Sequence, residues 1–136
     1  MNNLEQTLSI IKPDAVERNL DKDIKEIFKN KGFNIAKEKK IQVTKAEAEQ
    51  FYKVHETKPF YKDLCEYLSS GPVVVMILEK DNAIAANREL MGATDPKKAN
   101  EGTIRKKYGI SIDKNSVHGS DSIENAKIEI DFFFKS

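Results

Sequence analysis

The strongest constraint in the sequence is its longest unbroken apolar run, the six residues 73–78, which follow a Gly71-Pro72 pair. The run is rich in β-branched side chains, and this pattern predicts a strand buried in the centre of a sheet. It is far shorter than the roughly 20 apolar residues that a membrane-spanning helix requires. We therefore expect a small sheet with helices packed on it.

Alternating apolar and polar positions predict three further strands. In residues 7–12, Leu8 and Ile10 share one face, and the strand ends at Lys12, before a proline that can open a helix. A long, partly edge-like strand is expected over residues 33–43, and a last strand at Val117. The apolar residues assigned to one side of the long strand are Phe33, Ile35, Ile41 and Val43.

Apolar residues at helical spacing predict five or more helices. One helix is expected over residues 21–31, and a second after a capping box of Thr44 and Glu47. A third is expected to start at Lys58-Pro59 and a fourth to run from Asn82 to Met91. The last is expected after a second capping box, of Asp121 and Glu124. The last helix is expected to bury Ile123, Ala126 and Ile130.

Length and charge bound the class of protein. The 136 residues suit one domain, which we expect to span residues 1–136. The 23 basic and 22 acidic residues leave a net charge of +1, which gives no field that attracts nucleic acid or a membrane. Cys65 stands alone, so an intrachain disulfide is excluded, and the N-terminus has no secretory signal pattern. A cytoplasmic protein is expected.

A long basic segment, residues 92–115, is the first candidate functional region. Its only helical signal is a turn near residues 103–108, and structureless loops of this length usually carry function. On charge alone, a solvated surface loop is the commoner interpretation of such a run. The basic residues in the first part of the segment are Lys97, Lys98, Arg105, Lys106 and Lys107.

The chain has no glycine-rich phosphate-binding motif, neither Gly-x-Gly-x-x-Gly nor Gly-x4-Gly-Lys-Ser/Thr. Any bound phosphate must therefore be held by lysine and arginine side chains. Lys12 at a strand end, Arg88 near a helix end and Arg105 in the basic segment are candidates. Each is weak alone, since an arginine near a helix C-terminus usually interacts with the helix dipole.

The most informative segment is Asn115-Ser-Val-His118-Gly119-Ser-Asp121. It places a histidine at a strand end before a glycine that can turn sharply, so the imidazole is exposed where a nucleophile is often displayed. A neutral imidazole can attack a phosphorus atom if a partner fixes which nitrogen is free. A plain polar turn residue is the competing interpretation. A hydrolase triad with Ser120 and Asp121 is disfavoured, because residues so near in sequence rarely reach the required relay.

The two histidines, His55 and His118, make a histidine-based metal site improbable. His55 lies on the apolar stripe of its helix, and we expect it to be structural.

The chain resembles the nucleoside diphosphate kinases along essentially its whole length. The segment around His118 resembles the active-site signature of that family. The other similar blocks, in the family's order, are Ile11-Lys-Pro-Asp-Ala-Val16, Lys31-Gly-Phe33, Ser70-Gly-Pro-Val-Val74, Gly92-Ala-Thr-Asp-Pro96 and Gly102-Thr-Ile-Arg105.

The resemblance implies an α+β fold, a ferredoxin-like four-stranded antiparallel sheet with helices packed on it. It implies ping-pong transfer of the γ-phosphoryl group from a nucleoside triphosphate to a nucleoside diphosphate, which maintains the nucleoside triphosphate pools. Mg²⁺ is the implied cofactor, held by nucleotide phosphates and water and by no side chain. The implied assembly is a homo-oligomer, with a hexamer favoured over a tetramer. No dedicated nucleic-acid or membrane partner is implied.

The resemblance also implies the roles of particular residues. His118 is the residue phosphorylated, at its pros nitrogen, and Glu129 holds the other ring nitrogen. Phe60 stacks on the base, which fits broad base tolerance because every base has a π-face. The remaining implied roles are phosphate contacts for Lys12, Arg88 and Arg105, a phosphate bond from Thr94, ribose contacts for Asn115 and Lys12, and support of the phosphate side by Tyr52.

Two other classes of function are weighed against this one. A nucleotide-sensing module would keep the fold but turn over poorly, and the intact candidate residues argue against it. A single-strand nucleic-acid binder is disfavoured by the near-zero net charge. One departure from the family pattern is Glu101, which stands where the family usually has proline and touches no implied catalytic group.

Overall fold

The computed structural model describes residues 4–53, 56–110 and 116–134. Its strands are β1 (Leu4–Ile11), β2 (Asn34–Gln42), β3 (Pro72–Asp81) and β4 (Val117–Gly119). Its helices are α1 (Pro13–Glu17), α2 (Asp21–Asn30), α3 (Lys45–Phe51), α4 (Tyr61–Leu68), α5 (Ala83–Met91), α6 (Ile104–Tyr108) and α7 (Ile123–Phe134), with a 3-10 turn at Pro96–Lys98.

The four strands form one antiparallel sheet in the order β2-β3-β1-β4. The two central strands carry the apolar runs, and residues 73–78 of β3 are all buried, as predicted for a central strand. The edge strand β4 pairs with β1 so that His118 lies opposite Ile10. A four-stranded antiparallel sheet with helices packed on it is confirmed.

Helices cover both faces of the sheet, because side chains of each central strand alternate between two apolar cores. One core contains Met76 and Leu78 of β3 with Ile24 and Phe28 of α2. The other contains Val73 and Val75 with residues of α3, α4 and α7. No helix in the described part of the chain is long and apolar enough to cross a membrane.

The prediction for the long strand is wrong in one respect. Phe33 and Ile35 pack in the first core, whereas Ile41 and Val43 pack in the second. The cause is a register shift between Ile35 and Lys37, because one extra residue moves every later side chain to the opposite face.

Two predicted helix starts and one predicted cap need correction. The fourth helix begins at Tyr61 and not at Lys58-Pro59. Asn82 occupies the cap position of α5, but its side chain forms no cap hydrogen bond, and Glu5 Oε1 accepts from Ile84 N instead. The capping box of Thr44 and Glu47 is confirmed.

The start of the last helix also differs from the prediction. Ser122 Oγ, and not Asp121, accepts from the backbone of the first turn, at Asn125 N. With the start one residue later, Ile123 is 52% exposed. Ala126 and Ile130 still pack inward, as expected.

Candidate active site

A cavity of about 670 Å³ opens beside β4 and gathers residues from distant parts of the chain. Every predicted site residue that the structure describes lines it. These residues are Lys12, Tyr52, Phe60, Arg88, Thr94, Arg105, His118 and Glu129. Asn115, the remaining predicted site residue, lies outside the described residues, as does His55.

His118 is held from two sides. Pairing of β4 with β1 fixes its backbone, and Nε2 of its ring lies 3.2 Å from Glu129 Oε1. Ser120 Oγ donates to the same carboxylate oxygen over 2.7 Å, and the Ser120 hydroxyl accepts from Leu8 N. A carboxylate is a hydrogen-bond acceptor, so it favours the tautomer with the proton on Nε2 and a lone pair on Nδ1. The imidazole is therefore arranged as a nucleophile at Nδ1.

Gly119 follows His118 because no side chain fits there. A Cβ at this position would overlap the amide nitrogen of Asn87 and would lie 2.8 Å from Met91 Cε. Both residues belong to α5, which packs against β4. The glycine thus allows α5, with Arg88 in its last turn, to come close to the strand that carries His118.

Arg105 brings a positive charge into the cavity wall although its side chain is 9% exposed. Its Nη1 donates to Gly92 O over 3.0 Å and its Nη2 to Val117 O over 2.9 Å. Burial, and then the charge of Arg88, lowers the pKa of Arg105 to about 10. The guanidinium still carries its proton at neutral pH, and an anion between the two arginines would relieve their repulsion.

Lys12 is a second buried cation, 6% exposed, directly after β1. Its backbone nitrogen donates to Ser116 O over 2.8 Å, which extends the pairing between β1 and β4 by one bond. Tyr52, at the end of α3, is also buried. Burial first, and then Cys65 and Glu129, raises the pKa of Tyr52, so its hydroxyl remains protonated and able to donate.

The other predicted site residues are more exposed. Phe60 is 44% exposed, just before α4, and its ring lines the cavity. Arg88 and Thr94 are exposed on either side of Gly92.

The basic segment is ordered wherever the structure describes it. Asp95 caps the 3-10 turn and Thr103 caps α6, each by accepting from a backbone nitrogen. Of the basic residues in its first part, only Arg105 lines the cavity. The other four are exposed, as a solvated loop would have them.

Sequence reasoning missed part of the cavity wall. The missed residues on α7 and just before it are Asp121, Asn125, Ile128 and Phe132, and those on α3 are Gln50 and Phe51. The four near α7 recur with Glu129 at helical spacing, so the helical period could have found them from Glu129 alone. Ser120 was considered only as a triad member, and its bond to Glu129 was missed.

The described residues contain no group of three or more His, Cys, Asp or Glu side chains that could hold a metal ion. A divalent cation at this site would need ligands from a bound molecule and from water.

Known proteins match this chain over nearly its full length. A family model described as nucleoside diphosphate kinase matches residues 5–136. The nucleoside diphosphate kinase of Wolinella succinogenes is 60% identical over 131 residues, 96% of each chain. That of Campylobacter jejuni is 58% identical over 132 residues, 97% of this chain and 96% of the relative.

Solved structures agree in fold. The Aquifex aeolicus nucleoside diphosphate kinase superposes with a TM-score of 0.95 at 41% identity, covering 98% of this chain and 96% of the other. The Encephalitozoon cuniculi enzyme gives 0.93 at 37% identity, covering 97% and 90%. The expected ferredoxin-like arrangement is confirmed.

We expect Gly119→Ala to destabilise the fold by about 1–3 kcal/mol, because the added methyl group overlaps Asn87 and Met91. Gly71→Ala is the matched control, since a Cβ there meets only Pro13 Cβ at an ordinary 3.6 Å. Urea denaturation measures both. Equal midpoints for the two variants would contradict the close packing of α5 on β4.

Proposed function

Because the chain belongs to the nucleoside diphosphate kinase family, we propose that the cavity beside β4 is where it transfers phosphoryl groups between nucleotides, with His118 as the covalent carrier. The supporting observation is the contact of His118 Nε2 with Glu129, which leaves Nδ1 as the nucleophilic nitrogen. Lys12, Arg88 and Arg105 line the same cavity as the ring.

In the proposed first half-reaction, the Nδ1 lone pair forms a bond to the γ-phosphorus of a nucleoside triphosphate. The bond from phosphorus to the bridging oxygen breaks, and its electrons stay on the β-phosphate of the departing diphosphate. Glu129 accepts from Nε2–H and stabilises the positive charge that develops on the ring. In the second half-reaction another nucleoside diphosphate attacks the phosphohistidine, and the steps run in reverse.

Cationic side chains carry the electrostatic part of the proposal. Lys12, Arg88 and Arg105 bind phosphate oxygens and offset the charge that spreads over the transferring group. The burial of Lys12 and Arg105 strengthens their contacts, since the effective dielectric constant is lower there than in water. Tyr52 and Thr94 add hydroxyl donors.

Phe60 is proposed to stack on the base, a contact that does not depend on the hydrogen-bonding pattern of the base. Asn115 and Lys12 are proposed to contact the ribose. Donor and acceptor differ mainly in base and sugar, so one cavity serves both half-reactions.

Kinases of this family generally need a divalent metal, and we propose Mg²⁺. The described residues offer no ligand cluster, which fits a cation held by phosphate oxygens and water, the hard ligands that Mg²⁺ prefers. When bound, the cation neutralises phosphate charge. Arg105 and Lys12 would add positive charge from the protein side of the same cavity.

We also propose a single domain over residues 1–136 that acts in the cytoplasm as a homo-oligomer, with a hexamer favoured over a tetramer. The free, buried thiol of Cys65 fits a reducing compartment. The edge strand β2 is largely exposed along its length, and such an edge can pair with another chain.

Sedimentation equilibrium is expected to show six protomers, and a monomer would contradict the proposal.

His118→Ala is expected to abolish transfer and leave ADP binding and the circular dichroism spectrum unchanged, because it removes the nucleophile but no phosphate contact. Labelled ATP with Mg²⁺ should give an acid-labile, alkali-stable label on the unaltered chain, which added GDP discharges. His55→Gln is the control and should keep the label. Turnover of His118→Ala near the normal rate would rule out the covalent route.

Arg105→Ala is expected to lower kcat/KM on the order of 100-fold, by weakening both ATP binding and the chemical step. The neighbouring Lys106→Ala is the matched control, because that side chain is exposed outside the cavity. Steady-state kinetics and ADP titration separate the two effects. A kcat equal to that of the control would remove Arg105 from the chemical step.

A further inference from the structure

A buried carboxylate, Asp14, lies outside the cavity and collects hydrogen bonds from three segments of the chain. Tyr67 of α4 donates its hydroxyl to Oδ1, and Asp14 N donates back to that hydroxyl over 2.9 Å. Ser116 Oγ donates to Oδ2 over 3.0 Å. Arg18 Nη2 donates to Oδ2 over 3.1 Å. The carboxylate is thus paired and hydrogen-bonded, as a buried charge must be.

The hydrogen-bonded segments include those that carry Lys12, Arg105 and His118. Asp14 is two residues after Lys12, and Ser116 is two residues before His118. The Arg18 guanidinium also donates to Tyr108 O over 2.6 Å, three residues after Arg105. None of Asp14, Arg18, Tyr67 or Ser116 lines the cavity. Any influence on the reaction must therefore act through the positions of other residues.

Ser116, which connects Asp14 to the start of β4, has an unusual backbone conformation. Its φ is +74°, in the left-handed region that is costly for residues other than glycine, and it is fully buried. Three hydrogen bonds hold it there. Its carbonyl accepts from Lys12 N over 2.8 Å, and its hydroxyl donates to Asp14 and accepts from Arg18 Nη2 over 3.3 Å.

We propose that Ser116 and Asp14 are positioning residues for phosphoryl transfer, and that their hydrogen bond fixes the strained turn that aims His118 at the phosphate held by Lys12. This inference rests on the proposed role of His118. The Asp14 carboxylate is the acceptor, and Tyr67 and Arg18 hold it in place. The hydrogen bond from Ser116 then fixes the backbone at the start of β4. Strained backbone of this kind persists at functional sites where its surroundings enforce it.

Two substitutions at Ser116 separate positioning from stability. Ser116→Ala removes the hydroxyl and keeps the strain of a Cβ at positive φ, so it should lower both the melting temperature and the rate. Ser116→Gly removes the hydroxyl and the strain, so its melting temperature should exceed that of Ser116→Ala. The rate of His118 phosphorylation at saturating Mg-ATP, measured by rapid quench well below melting, should fall at least about tenfold in both.

Ser69→Ala is the matched control, because it also removes a hydrogen-bonded serine hydroxyl, at the end of α4, where it donates to Cys65 O over 2.8 Å and to Glu66 O over 3.2 Å. Its phosphorylation rate should equal that of the unaltered chain. If the rate of Ser116→Gly recovers along with its melting temperature, Ser116 is only structural and the proposal fails.

A double-variant cycle with Asp14→Asn tests whether Ser116 acts through Asp14. If it does, the double variant Asp14→Asn with Ser116→Ala should be no slower than the slower single variant. Losses that multiply would overturn the linked role. An unaltered chain that takes no label on His118 would refute the proposed function itself, whereas a labelled chain with unimpaired Ser116 variants refutes only this inference.

Discussion

The short ladder between β1 and β4 is the interaction on which the site depends. Three residue pairs form it, with His118 opposite Ile10, and backbone bonds from Lys12 N to Ser116 O and from Ser120 N to Leu8 O extend it at both ends. Since β1 is a central strand buried between two cores, the ladder fixes the backbone of His118 to a strand in the interior of the sheet. Lys12 directly follows the same strand, so one element sets the distance between the proposed nucleophile and this proposed phosphate ligand.

Charge is concentrated locally in a chain that is nearly neutral overall. Arg105 is buried and lies near a second arginine, and both effects lower its pKa. The fold therefore bears an unfavourable arrangement of cations, which a polyphosphate bound in the proposed site would relieve. A uniformly basic surface would instead attract nucleic acid of any sequence.

Local sequence patterns predicted the elements well, and the resemblance supplied the residues that meet in the cavity. Neither source predicted the contacts that bring distant segments together. The bond between Ser116 and Asp14 joins residues 102 positions apart, and no periodicity records such a pair. The register shift in β2 reversed the faces of Ile41 and Val43 because alternation cannot show an extra residue inside a strand. The last helix was predicted to begin one residue too early, because Asp121 and Ser122 are both good caps and only tertiary packing decides between them.

Two sets of hydrogen bonds act on His118, and they differ in how large a shift of the bonded atoms they can accommodate. Glu129 acts on the imidazole itself and Ser120 acts on the Glu129 carboxylate, and there a small shift can be absorbed by side-chain rotation. Ser116 and Asp14 act on the backbone, where a change in φ moves the whole strand end together with the ring. A ring held only by its carboxylate partner would keep the right tautomer and still point away from the phosphorus. Orientation of the strand end is therefore as necessary to the proposed transfer as the basicity of Nδ1.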